Sequence, residues 1–479
     1  MAEGGARRDD PDGVSKQGSV SSRQATVQWE KASGETCILM SWLGYGPEFR
    51  QARSDAYREE ARLYSRHSNA VTMMIAGSKA EGLTRPMESD LDYLFVHKDV
   101  ICLEDGVNAG TVTREITVLR SCSRMTYPGH CRLLLERRGT YISWEVNEAF
   151  CDDGNGRVIL SSGLFAHNVR LPSLLPYVLR KYGVMHDRAG PSMPYTEHGV
   201  IHYDIVNSFF YCCPDILSKW ASRPRHWPPP EAVQQVVSLG ALLTPVGVKG
   251  SEYEHVEWRV CFNAGEIELV NNLNDTQIKL YVLLKMVTKD VLNPRKKEVT
   301  SFTLKNIVLW IAENNPQSLF HERSLLHWLH EGLDALRVAL VNRELPYYMI
   351  PDRNLMAACG LEQEQKNTWI STITEMMDEG PRMILRLPKI RQAIIAHPEP
   401  FRWYSRKRME LELWWLMFKK SEALCRDENM MLDRTDDILH AIKRRIDEIC
   451  YEVGLRMFME GIRGSRVNEL KNVRISMLM

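Results

Sequence analysis

Two aspartates one residue apart stand at the head of an apolar run in GSKAEGLTRPMESDLDYLFV, residues 77–96, and that placement restricts the fold more than any other feature of the chain. In a strand, residues i and i+2 project from the same face, so Asp90 and Asp92 point together while Leu91 and Tyr93 point the other way. A buried strand tolerates paired carboxylates only where something answers their repulsion. The strand is therefore expected to open into a site.

Hard cations that prefer oxygen donors, Mg²⁺ or Mn²⁺, meet that need, and zinc does so poorly. Upstream, Gly77 and Ser78 end another apolar run, so the backbone can turn there and offer N–H groups and a hydroxyl to phosphate oxygens. Phosphate grip together with paired carboxylates points to metal-assisted nucleotidyl transfer. Two-metal chemistry wants a third carboxylate, and Glu145, Asp152 and Asp204 compete for that place. Asp204 is the one embedded in an apolar strand-like run, VIHYDIVNSFF.

The 479 residues suffice for two or three domains. Basic and acidic residues balance at 61 each, so a nucleic-acid surface would have to be a local patch. One such edge is offered by Arg58, Arg62 and Arg66, which follow each other at helical i,i+4 spacing in PEFRQARSDAYREEARLYSRH. The 11 cysteines form no CxxC pair and read as reduced thiols of a cytoplasmic protein, with Cys212 and Cys213 as small core residues. His198 and His202 flank a strand rather than share a helix face, so they are not read as a metal pair. No run of membrane-spanning length occurs, and the N-terminus lacks the apolar stretch of a signal peptide.

Residues 1–35 are rich in Gly, Ser and charge and are expected to be disordered. From Ile38 to Arg66 the spacing predicts a helix, followed by short strands at VTMMIAG, DYLFV, CRLLLE, TYISWEV and VIHYDIVNSFF. After Pro214 apolar residues recur every three or four positions, as in DTQIKLYVLLKMVTKDVL and DILHAIKRRIDEICYEVGLRMFM. The division expected is a mixed catalytic lobe over 36–215, a helical lobe over 216–361 and a helical extension of unassigned role over 362–479.

The Gly-Ser and acid-x-acid pattern resembles the nucleotidyltransferases related to cyclic GMP-AMP synthase, the Mab-twenty-one superfamily. YDIVNSFF, HWPPPEAV, GVKGSEYEHVEWRVCFNAGEIELVNNL, QIKLYVLLK, TSFTLKNIVLW and LPYYMIPDRNLM follow in that family's order over roughly residues 40–360. The resemblance implies an α+β, bilobal nucleotidyltransferase fold, with a mixed-sheet lobe carrying a long spine helix, a helical lobe and extra C-terminal helices. It makes Asp90, Asp92 and Asp204 the metal-binding acids for two Mg²⁺ or Mn²⁺ ions. Ser78, beside Gly77, matches the residue that holds the donor triphosphate, and Lys279 and Ser301 match further donor-phosphate contacts. Arg259 matches the arginine that reaches the acceptor nucleotide, Glu266 an acid beyond it, and Phe302 an aromatic that stacks on a base. The family's zinc thumb has no counterpart, because LVNNLNDTQIKLY leaves no room and holds neither Cys nor His. The resemblance is thus to the zinc-free invertebrate receptors.

By that resemblance the chain is expected to join ATP and GTP into a cyclic dinucleotide for innate immune, antiviral signalling through a STING-like receptor. Double-stranded RNA is the expected trigger, bound along Arg58, Arg62 and Arg66 with help from Arg295, Lys296 and Lys297. The alternative is a catalytically silent binding or scaffold protein of the same superfamily.

Overall fold

The apolar runs around the aspartates form the centre of a mixed sheet. The computed structural model describes residues 15–124, 126–169, 183–197, 199–293, 298–357, 359–427, 431–462 and 470–479. Among these, the strands are β1 (Val71–Ala76), β2 (Leu91–Leu103), β3 (Thr117–Cys122), β4 (His130–Arg137), β5 (Phe150–Asp152), β6 (Val158–Leu160), β7 (Gly183–Met185), β8 (Met193–Glu197), β9 (Ile201–Cys212), β10 (Ala241–Thr244) and β11 (Glu257–Cys261).

β2 is the hub. It runs antiparallel to β1, parallel to β9 along its whole length, and parallel to β3 at its far end. β3 continues through β4, β11 and β10 back to β9, so these strands close into a ring. The interior is filled by aromatic rings, with Phe165, Phe209 and Trp258 at mutual centroid distances of 4.9–5.5 Å. Their burial contributes to the apolar stabilisation of the sheet together with the rest of that core. Two strands thus come from beyond the expected boundary at residue 215. They are short, and one lies beside a helix-like run, so local periodicity alone assigns them to the helical lobe.

Helix α1 (Ser15–Met40) corrects the expectation of disorder from Ser15 onward. Its polar composition hides a buried edge of Ser33, Thr36, Cys37 and Met40. Small residues there allow close approach, and the Ser33 hydroxyl accepts the backbone N–H of Leu326 at 3.1 Å. Gly44 breaks the helix at φ +88°, where a Cβ would stand 2.6 Å from the Arg408 guanidinium. Pro47 then starts α2 (Pro47–Ser65), since proline is well placed at a first helical position. The segment TYISWEV is not a strand but holds a short helical turn, Trp144–Asn147. The N–H of Ser143 is tied there to Asp99, within β2.

The helices Asp275–Met286, Ser301–Asn314, Leu325–Asn342 and Gln363–Asp378 form the helical lobe. An Asn274–Gln277 capping box starts the first of them. Beyond it, helices Phe401–Leu424 and Asp437–Met459 pack on each other around a second core of Leu411, Ile442, Ile446, Ile449 and Val453. The first of this pair also lies along α2, where Arg53, Tyr57, Glu60 and Tyr64 are buried. The overall class is α+β, as expected. Among the described residues no helix is long and apolar enough to cross a membrane.

Candidate active site

The parallel register of β2 with β9 sets Asp92 directly beside Asp204, two residues 112 positions apart in sequence. The antiparallel register with β1 brings Ala76 opposite Asp92, so the Gly-Ser turn that follows β1 falls against the same carboxylate. Gly77 has φ +66°, and a Cβ there would collide with the Asp92 carboxylate oxygen; only glycine allows this approach. Asp90 lies just ahead of β2. Burial first, then the charges of Asp204, Asp90 and Glu81, push the Asp92 carboxyl up to about 7, with Lys305 pulling the other way. Asp204 accepts a hydrogen bond from the Ser192 hydroxyl at 2.7 Å.

This set offers only oxygen donors and carries negative charge that the protein does not fully compensate, which suits a hard divalent cation. As the side chains stand, no group of three His, Cys, Asp or Glu among the described residues is close enough to hold a metal ion. Glu145 and Asp152 lie on the short turn and on β5, away from the lining of the cleft.

Residues 77–80 form a single helical turn, α3. There the Ser78 hydroxyl accepts from the Lys285 ammonium at 2.8 Å. Burial lowers Lys285 to about 8. A hydroxyl, a turn of backbone and an ammonium thus meet at one corner, as a phosphate group requires. Sequence reasoning named Lys279 for this role, and the structure places it elsewhere: its ammonium binds Asp275 at 2.6 Å and the Ser41 hydroxyl at 3.0 Å. Six residues along a helix turn a side chain about 120° away. The overlooked mark of Lys285 was its position one turn after Tyr281, which itself lines the cleft; Lys285 reaches that cleft through Ser78.

The cleft between these groups and the helical lobe has a volume of about 430 Å³. Gly77, Ser78, Asp92, Arg259, Glu266, Ser301 and Phe302 all line it, so most of the sequence-derived residues converge. Phe302 stands 5.5 Å from the Tyr347 ring, which gives the cleft an aromatic wall. Glu266 is engaged by protein groups: it accepts from Lys305 at 2.8 Å and from the Tyr347 hydroxyl at 2.7 Å, while Lys305 also binds Glu81 at 2.6 Å. Ser301 begins its helix, and its carbonyl accepts from the Tyr281 hydroxyl.

Arg58, Arg62 and Arg66 are exposed on the face of α2 opposite the C-terminal helices. Arg62 pairs with Glu59 at 2.6 Å and Arg58 with Asp55 at 3.5 Å. Arg295, Lys296, Lys297 and His198 lie outside the described residues. His202 is held by Thr196 at 3.0 Å.

Residues 276–375 match the Mab-21 protein HhH/H2TH-like domain. The matched stretch is the four-helix lobe that closes the cleft over the sheet, and it runs past the boundary expected at residue 361. The likeness to Mab-21 proteins is thus to their HhH/H2TH-like domain and extends over residues 276–375 of this chain.

Proposed function

We propose that this protein is a metal-dependent nucleotidyltransferase that builds a cyclic dinucleotide from ATP and GTP. The observation that carries the reading is the register that seats Asp92 beside Asp204 with the Gly77-Ser78 turn against them. Asp90, Asp92 and Asp204 would hold Mg²⁺ or Mn²⁺, which when bound neutralises the donor triphosphate and acidifies the attacking hydroxyl. Ser78 and Lys285 grip the triphosphate and orient its α-phosphorus. The acceptor ribose oxygen attacks that phosphorus, the α–β bridging bond breaks, and pyrophosphate leaves. Asp204 takes the hydroxyl proton. Phe302 and Tyr347 stack on the acceptor base, and a second transfer in the same cleft closes the ring.

The trigger we propose is double-stranded RNA lying along Arg58, Arg62 and Arg66, where weak, exposed pairs can be exchanged for phosphates. A cytoplasmic site of action and a STING-like receptor for the product belong to the same proposal.

Purified protein incubated with labelled ATP, GTP, CTP and UTP and Mn²⁺ or Mg²⁺, with and without long double-stranded RNA, tests it. A small phosphatase-resistant product absent from the Asp90→Asn, Asp92→Asn variant supports the reading. Long tails would instead mark an RNA-extending enzyme.

One observation favours the silent scaffold as a second reading: Asp204 is already engaged by Ser192, and among the described residues no three acids stand ready to share an ion. Calorimetry with Mn²⁺ separates the two. Heat of binding that disappears in the variant favours the enzyme, and no heat together with no product favours the scaffold.

A further inference from the structure

The acids and Lys305 balance the inner half of the cleft, where Lys305 sits between Glu81 and Glu266. The opposite end is different. Arg259 on β11 and Arg353 both line it, and neither has an ion-pair partner among the described residues. The Arg259 Nε is buried and without a hydrogen-bond partner. Arg353 makes only a long bond of 3.5 Å to the Val260 carbonyl and lies over the Tyr347 ring at 5.1 Å.

Its position is nonetheless fixed. The backbone of Arg353 exchanges hydrogen bonds with Ile350 and Tyr347, and its side chain runs past Gly129 so closely that a Cβ there would stand 2.7 Å from its Cδ. His130, the strand partner of Arg259, adds no charge, because burial and then the two arginines push it down to about 3. The two guanidiniums in this half-buried cleft repel each other, and among the described residues no carboxylate pairs with either of them. Forked, weakly hydrated guanidiniums in this state suit phosphate oxygens.

We infer that Arg353 and Arg259 form a second anion subsite, which takes the 5′-phosphates of the acceptor nucleotide. The subsite rests on the nucleotidyltransferase reading above for the identity of its ligand, and on the two unpaired arginines for its existence. β11 lies three strands from β2 around the ring, and Asp92, Arg259 and Arg353 line one cleft of about 430 Å³. That leaves room for a nucleoside between Asp92 at one end and the arginines at the other. An acceptor held by both its ribose hydroxyl and its phosphates would be favoured over a nucleoside, and over a chain end whose 5′-phosphates lie far away.

The full chain in EDTA, titrated with inorganic tripolyphosphate by calorimetry, tests the subsite without any catalysis. Wild type is expected to bind two equivalents. Arg353→Gln should weaken one of them roughly tenfold to a hundredfold, and Lys285→Met should weaken the other. Arg353→Lys, which keeps the charge without the fork, should fall between, and it serves as the readout if the glutamine variant does not fold. Equal binding by wild type and folded Arg353→Gln overturns the subsite.

A second arm uses α-labelled ATP as donor and compares GTP with guanosine as acceptor. Arg353→Gln should raise KM for GTP roughly tenfold and leave guanosine use unchanged. If transfer is intact but the variant uses GTP as wild type does, the subsite fails and the nucleotidyltransferase reading stands. If wild type transfers nothing while tripolyphosphate binding still depends on Arg353, the enzyme reading fails and the anion subsite stands.

Discussion

Arg53 of α2 and Glu412 of the Phe401–Leu424 helix are joined by two hydrogen bonds of 2.5 and 2.8 Å, and neither side chain has any solvent exposure. Arg53 also donates to the Gly82 carbonyl at 3.2 Å, and Glu412 accepts from Arg408 at 3.2 Å. One buried pair therefore ties the C-terminal helices to α2 and to the segment that leads from the Gly-Ser turn to Asp90. Removing one partner strands the other charge in a dry setting, so Glu412→Gln should cost about 3–5 kcal/mol. Replacing the whole group by Arg53→Met, Arg408→Met and Glu412→Leu should recover much of that loss, because Arg408 also relies on Glu412 and well-packed apolar groups carry no desolvation cost. Urea midpoints of the three proteins check this, and a Glu412→Gln midpoint equal to wild type would show that the pair is not a structural anchor.

Glu88, in the same segment, is bound by Lys389 at 2.6 Å. Burial alone would raise its carboxyl, but Lys389 and Arg85 hold it down at about 2. The folded value lies below the unfolded one, so this stabilisation is present above about pH 4.5 and is lost as pH falls through about 2. Lys389→Met should lower stability at pH 7 by on the order of 2 kcal/mol and flatten the decline between pH 4.5 and 2. Melts at pH 7, 4 and 3 check the slope. An unchanged slope would mean that Lys389 does not set the Glu88 titration.

Asp92 was legible in the sequence as an acid heading an apolar strand, whereas Asp90 falls just ahead of that strand, where the i, i+2 rule does not reach. Asp204 was legible only as one of three candidates, since the register of β9 against β2 is a long-range fact that no local pattern encodes. Lys279 and Lys285 share one apolar helix, and spacing alone does not say which face meets the Gly-Ser turn. α1 was missed because its composition is mostly polar and its buried edge mixes Ser33 and Thr36 with Cys37 and Met40. The docking of the last helices was invisible for a related reason: part of it runs through buried charges, Arg53, Glu60, Arg408 and Glu412, which read in a sequence as solvent-facing.

The Asp92 carboxyl, raised from 3.8 to about 7 by burial and by Asp204, Asp90 and Glu81, gives the opposite pH dependence to Glu88. Its folded state holds the proton more tightly, so the contribution is fully present below about 3.8 and is lost as pH rises through about 7. Metal-free wild type should lose on the order of 4 kcal/mol between pH 4 and 8 relative to Asp92→Asn. Mn²⁺ displaces that proton, so it should stabilise wild type more at pH 8 than at pH 5 and should not stabilise the variant. Thermal melts with EDTA or Mn²⁺ at the two pH values check both. Parallel pH curves for the two proteins would count against the buried, acid-crowded setting of Asp92.

Lys285 and Lys279 stand on one helix yet have separate work, and exchanging each for methionine separates binding from folding. Lys285 donates to the Ser78 hydroxyl and is held at about 8 by burial. Lys285→Met removes a charged phosphate contact worth about 1.5–3 kcal/mol, so KM for the donor nucleotide should rise roughly tenfold to a hundredfold. Its stability should change little, since a buried ammonium with a lowered pKa is itself costly. Lys279 binds Asp275 and Ser41 outside the cleft and is almost fully buried. Lys279→Met should leave KM unchanged and cost about 1–3 kcal/mol of stability, because Asp275 and the Ser41 hydroxyl lose a buried donor and Asp275 keeps only Arg50 at 3.3 Å. Steady-state kinetics and urea melts on both variants decide the assignment. If Lys279→Met instead raised KM while Lys285→Met did not, the phosphate corner would have to be redrawn around the first lysine, with the helix turned by about a third of a revolution.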